Sequence, residues 1–205
     1  MEVGTTLYVT TRKAWRAWLQ KNHAKQKEIW LVYTKKQSGK PRIAYDVAVE
    51  EALCFGWIDG IMKSIDADFF VQRFSPRRSA KSQLSETNKE RVRLMIRAGL
   101  MTPAGMEKIR GRMSDKFVPA PDILAALKRD PVAWKNFQRF PKWYQRVRLG
   151  WLDMSRGRQD IFQSRLRYFL KMTALNKRYG QVHETRNQGT AVYKPPKTTA
   201  KAGAP

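Results

Sequence analysis

The residues with the most chemical promise gather around one short acidic turn, Asp66-Ala67-Asp68. Two β-prone runs, Trp57 to Ile65 and Phe69 to Phe74, flank it and read as an antiparallel hairpin. Folding about Asp66 sets Asp59 opposite Arg73, Ile61 opposite Val71 and Lys63 opposite Phe69. A guanidinium fork against a carboxylate suits the edge of a pocket, with Trp57 as a wall and Arg77 and Arg78 close by. The same pair also reads as an exposed cross-strand ion pair contributing at most about 1 kcal/mol. The candidate ligand-binding residues are thus Trp57, Asp59, Arg73, Arg77 and Arg78. Acid–base work by Asp59 would need burial to raise its pKa, so no residue is assigned as catalytic.

Other chemistries find little support. The two histidines, His23 and His183, have no second ligand at metal spacing, and there is no H-E-x-x-H, C-x-x-C or P-loop. The single cysteine, Cys54, lies between Leu53 and Phe55 and reads as a buried, inert thiol. No cofactor or metal is expected.

Charge is the loudest feature. The 205 residues carry 41 Lys plus Arg against 17 Asp plus Glu, a formal +24. The excess is uneven: residues 1–75 carry +4, residues 76–115 carry +6, and residues 116–205 carry +14. Such an excess attracts nucleic acid or another polyanion, or an anionic membrane surface, and it also reads as a plain solubility surface. Six arginines of the C-terminal half, Arg146, Arg148, Arg156, Arg158, Arg165 and Arg167, could form a phosphate-binding stripe or a solvated helix face. No signature of a base-reading module accompanies them. Direct capture of cationic peptides would need an acidic surface, which this chain lacks.

These residues must be positioned by a modest set of elements. Helices are predicted over 12–22, capped by Thr11, and over 46–55, stopped by Gly56. A strand is predicted over 29–34, and a capping box at Thr87-x-x-Glu90 starts a helix ending at Gly99. Thr102-Pro103 and Asp130-Pro131 each start a further helix, and 111–121 reads as a linker. Apolar periodicity predicts two more helices from Pro141 and Ile161. The expected fold class is α+β: a small antiparallel sheet with helices over 1–115, then a helical segment over 116–180 and a disordered basic tail over 181–205. No apolar run spans a membrane and no secretory signal is legible, so a cytoplasmic location is expected.

The stretch EALCFGWIDG, Glu51 to Gly60, resembles the signature of the YdeI/OmpD-associated family. Trp30 to Lys36 (WLVYTKK), Gln72 to Arg78 (QRFSPRR) with Ser82 to Val92, and Gly99 to Gly105 (GLMTPAG) resemble three further family blocks. Two departures stand out: Leu84 occupies a position where the family usually has Trp, and Gly60 one where it usually has Ser. The resemblance implies a bacterial protein linked to bacteriocin or stress protection, and it supplies no reaction. Three readings follow: a non-catalytic binding module with a ligand or protein partner, a non-specific nucleic-acid binder, or an enzyme or small-anion receptor around Trp57, Asp59 and Arg73. The oligomeric state is not legible.

Overall fold

A computed structural model describes residues 2–77, 83–114 and 116–180. Its first half runs β1 (Thr6–Tyr8), α1 (Arg12–Asn22), β2 (Ile29–Thr34), α2 (Tyr45–Cys54), β3 (Trp57–Ser64), β4 (Phe69–Pro76), α3 (Glu86–Arg97) and α4 (Pro103–Ile109). The second half is helical: α5 (Pro121–Lys128), α6 (Pro131–Arg139), α7 (Lys142–Asp153) and α8 (Gln159–Ala174). The α+β class holds, with one correction to the sheet. Its order is β1-β2-β4-β3, and β1 runs parallel to β2, so the sheet is mixed. A three-residue strand such as Thr6–Tyr8 leaves no alternation to read.

Local chemistry explains the elements. Thr11 caps α1 by accepting from the Ala14 amide at 3.2 Å, and Trp15 and Leu19, one turn apart, are buried. Trp15 fastens α1 to α2 by donating its indole N–H to the Ala48 carbonyl at 3.0 Å. Gly56 ends α2 in the left-handed region at φ +75°, where a side chain is strained. Asp66 makes the β3–β4 turn by accepting from the amides of Asp68 and Phe69, each at 2.7 Å. Ser85, not Thr87, caps α3, accepting from the Asn88 amide at 3.2 Å. Its hydroxyl stands one residue before the first helical turn, which the capping-box reading placed two residues late.

The hairpin register also needs correction. Met62, Lys63 and Ser64 pair with Gln72, Val71 and Phe70, whereas Asp59 pairs with Phe74. Between those two stretches Gly60 and Ile61 stand against Arg73 alone, a β-bulge in β3. The extra residue changes which side chains face each other. Asp59 shares a sheet face with Phe74, Gln72 and Phe70, and Arg73 points to the opposite face beside Trp30.

Burial falls in two clusters. One packs α1, α2 and one sheet face around Trp15, Leu31, Tyr33, Leu53, Trp57 and Phe74. The other packs α5 to α8 around Ile123, Leu127, Phe137, Tyr144 and Phe169. The halves meet where Arg146 on α7 reaches Glu86 at 4.0 Å and Glu90 at 3.8 Å on α3. Among the described residues no helix is long and apolar enough to cross a membrane. The expected tail over 181–205 lies outside the described residues.

Candidate functional site

The bulge and the α2 entry together border a half-open cavity of about 710 Å³. Such a volume lies in the range of small-ligand sites. The sheet supplies Tyr33 from β2, Asp59, Gly60 and Met62 from β3, and Phe70 and Gln72 from β4. The segment leading into α2 supplies Arg42, Ala44, Tyr45 and Asp46. Strand alternation places the sheet residues on one face, so the lining is set by register.

Its polar groups are organised. Tyr45 donates its hydroxyl to Asp59 Oδ2 at 2.5 Å, tying the start of α2 to β3. Gln72 donates its amide to the Gly60 carbonyl at 2.5 Å, which fixes the bulge and leaves the amide oxygen as an acceptor. Arg42 donates to the Thr34 carbonyl at 2.8 Å. Asp46, buried at the start of α2, lies 3.7 Å from Arg91 on α3. Phe70 stacks on Tyr33 with ring centroids 5.1 Å apart.

Tyr33 is the unusual member. It is only 2% exposed, and its hydroxyl has no hydrogen-bond partner. Burial first, then the nearby ionisable groups Tyr45 and Asp59, push its phenol well above the ordinary value. The Tyr45 phenol is raised as well, by burial first and then by its hydrogen bond to Asp59. Both stay neutral near pH 7 and can donate a hydrogen bond. Among the described residues the lining holds no cysteine, serine, histidine or lysine.

Of the residues singled out from sequence, Asp59 borders this cavity, and Trp57 and Arg73 do not. Trp57 is 1% exposed in the core and donates its indole N–H to the His23 carbonyl at 3.1 Å. Arg73, displaced to the other face by the bulge, holds Glu28 through two hydrogen bonds at 2.6 and 2.8 Å. The pairing of Asp59 with Arg73 is therefore not formed. Arg77 is buried just past β4, and its guanidinium is held below its ordinary pKa by burial and by nearby Arg112. Arg78 lies outside the described residues. Sequence reasoning missed Tyr33, Arg42, Tyr45, Asp46 and Gln72 as site residues. A signal existed for Tyr33 and Gln72, which stand two residues from Leu31 and Phe74 on the core-facing side of their strands.

The C-terminal arginines do not form one free stripe. Arg146 faces Glu86 and Glu90, and Arg156 pairs with Asp122 at 2.6 Å and with Asp153. Arg148 is buried among the rings of Tyr144, Trp151 and Tyr179, at 5.6, 5.4 and 5.0 Å. Arg165 lies over Trp151 at 4.1 Å, and Arg158 and Arg167 are exposed. Cys54 is buried, and burial pushes its thiol up to about 12. Among the described residues, no group of three or more His, Cys, Asp or Glu is placed to hold a metal ion.

Comparison with known families divides the chain at the boundary between its two cores. Residues 7–108 match a domain of unknown function (DUF8412), which contains the Glu51 to Gly60 stretch and the whole cavity. Residues 116–176 match the family described as bacteriocin-protection, YdeI or OmpD-associated, covering α5 to α8. No curated protein and no solved structure matches the chain. The helical segment, residues 116–176, is thus similar to the YdeI/OmpD-associated family.

Proposed function

We propose that the protein is a binding module whose α+β half holds a small organic molecule in the cavity between the β3 bulge and the start of α2. The observation that carries this reading is a cavity of about 710 Å³ lined by Asp59, Gln72 and Tyr33, whose hydroxyl is buried and without a hydrogen-bond partner. A buried donor without a partner costs about 1–3 kcal/mol, and a ligand group that reaches the hydroxyl recovers that loss. The Tyr45–Asp59 hydrogen bond supports the reading, because it fixes a carboxylate at the same wall before any ligand arrives. A role in protection would then be exerted through a held small molecule. Nucleic-acid binding by the C-terminal arginines has less support, since Arg146, Arg148, Arg156 and Arg165 are engaged within the protein.

The test is a library of polar metabolites and fragments, screened by amide chemical shifts in the full-length protein. Binders should move the resonances of Tyr33, Tyr45, Asp59 and Gln72, and Tyr33→Phe should weaken them. Responses confined to other surfaces would reject the reading.

A further inference from the structure

We infer that the ligand of this cavity carries a protonated nitrogen, an ammonium or amidinium group, which pairs with Asp59. The inference rests on the cavity being a ligand site and adds the chemical class that enters it.

Asp59 is half-buried, and no described cation lies within 4 Å of it. Arg77 feels its charge from farther off. The bulge removed the arginine that simple strand pairing would have put opposite it, and Arg73 is instead committed to Glu28. Tyr45 occupies Oδ2 as a neutral donor, so Oδ1 keeps its acceptor capacity. A half-buried carboxylate with one neutral donor is the group most improved by a cation, because reduced solvation strengthens a charge-assisted hydrogen bond. The surrounding groups have the same bias. The Gln72 amide oxygen and the Tyr45 oxygen are acceptors, and Asp46 adds a second carboxylate to the lining. A polyfunctional ammonium or a planar amidinium has several N–H groups to meet them. The buried Tyr33 hydroxyl can accept a further N–H or donate to an acceptor on the ligand.

Arg42 is the opposing feature. It is the lining cation, but it is solvent-exposed and its guanidinium is anchored on the Thr34 carbonyl. An anion would thus meet Arg42 at the mouth and the carboxylates of Asp59 and Asp46 inside. The global charge of +24 does not decide the matter, since the lining is locally balanced between Arg42 with nearby Arg91 and the two aspartates.

The experiment compares matched probes that share one ring and differ in charge: benzylamine and benzamidine, benzyl alcohol, and benzoate. Each is titrated into the full-length protein near pH 7 and followed by amide shifts at the cavity. The two cations should bind tightest, and Asp59→Asn should weaken them about tenfold or more, as loss of a charged hydrogen-bond partner implies. Asn keeps an oxygen for the Tyr45 hydroxyl, and an unchanged unfolding midpoint verifies that the variant is folded. Equal or tighter binding of benzoate or benzyl alcohol at the cavity overturns the cationic class and leaves the ligand site standing. Cation binding that is indifferent to Asp59→Asn overturns the class in the same way. If none of the probes and no library compound shifts the cavity resonances, the site and the class both fall.

Discussion

Replacing Tyr33 by Phe should make the unliganded protein more stable while weakening its binding. The hydroxyl is buried and has no partner, so its desolvation is uncompensated in the free protein. An unsatisfied buried polar group costs about 1–3 kcal/mol. Phe keeps the ring, and with it the stack on Phe70 at 5.1 Å, so little packing is lost. A small void where the oxygen stood takes back part of the gain. The net expectation is a stabilisation of about 1 kcal/mol, or a rise in Tm of about 2–4 °C for a chain of this size. Urea unfolding followed by tryptophan fluorescence reads this directly as a higher midpoint at constant slope. Any molecule that uses the hydroxyl should bind the variant more weakly, which makes the residue a case of stability given up for function. A variant destabilised by more than about 0.5 kcal/mol would show that the hydroxyl has a favourable partner. The inference drawn from its burial would then be wrong.

Three other outcomes are expected. Glu51 is fully buried between Arg12 at 2.8 Å and Arg16 at 2.6 Å. Glu51→Ala leaves Arg12 on Glu50 and Arg16 on the Leu100 carbonyl but removes the buried carboxylate between them, so it should cost about 1–3 kcal/mol in urea unfolding, and a neutral or stabilising result would contradict that reading. Gly105 lets α4 approach α2 so closely that an added Cβ would lie 2.1 Å from the Cys54 carbonyl oxygen. Gly105→Ala should therefore destabilise by about 3 kcal/mol even though Ala is the better helix former, and a neutral or stabilising result would refute that contact. Alkali gives the third. Folding holds the Cys54 thiol at about 12 against an ordinary 9.0, and the buried tyrosines Tyr33, Tyr45, Tyr144 and Tyr179 are also raised. The unfolded chain thus loses these protons first, so stability is fully present below pH 9 and falls as pH rises from 9 through 12. Cys54→Ala should flatten the early part of that fall, and an unchanged stability–pH curve would reject its buried-thiol origin.

Much of the scaffold was legible because its signals are local. Thr11 and Asp130 cap helices with short side chains, Gly56 ends α2 at φ +75°, and Asp66 closes the hairpin through its own backbone neighbours. The cavity was not legible, because it depends on a single extra residue. Gly60 and Ile61 opposing Arg73 turns a symmetric pairing into one that separates Asp59 from Arg73. Nothing in the composition of WIDGIMKS marks where such a bulge falls, although its glycine permits it. Tyr45 and Asp46 looked like the ordinary first turn of a helix, and only the tertiary fold brings that turn over the sheet to meet Asp59. The two departures from the family pattern also acquire a place. Leu84 is buried in the first core, and Gly60 lines the cavity with room for a Cβ, whose nearest neighbour would be 3.7 Å away. The charge, finally, was legible in amount and not in use, since arginines such as Arg148 and Arg156 serve the interior and the surface ion pairs of the helical half.

The most direct measurement is a crystal structure of the full-length protein soaked with benzamidine. Density for the amidinium within about 3 Å of Asp59 Oδ1, with the ring inside the cavity near Phe70, is the predicted result. A cavity left empty while the same soak places benzamidine elsewhere on the protein would contradict it.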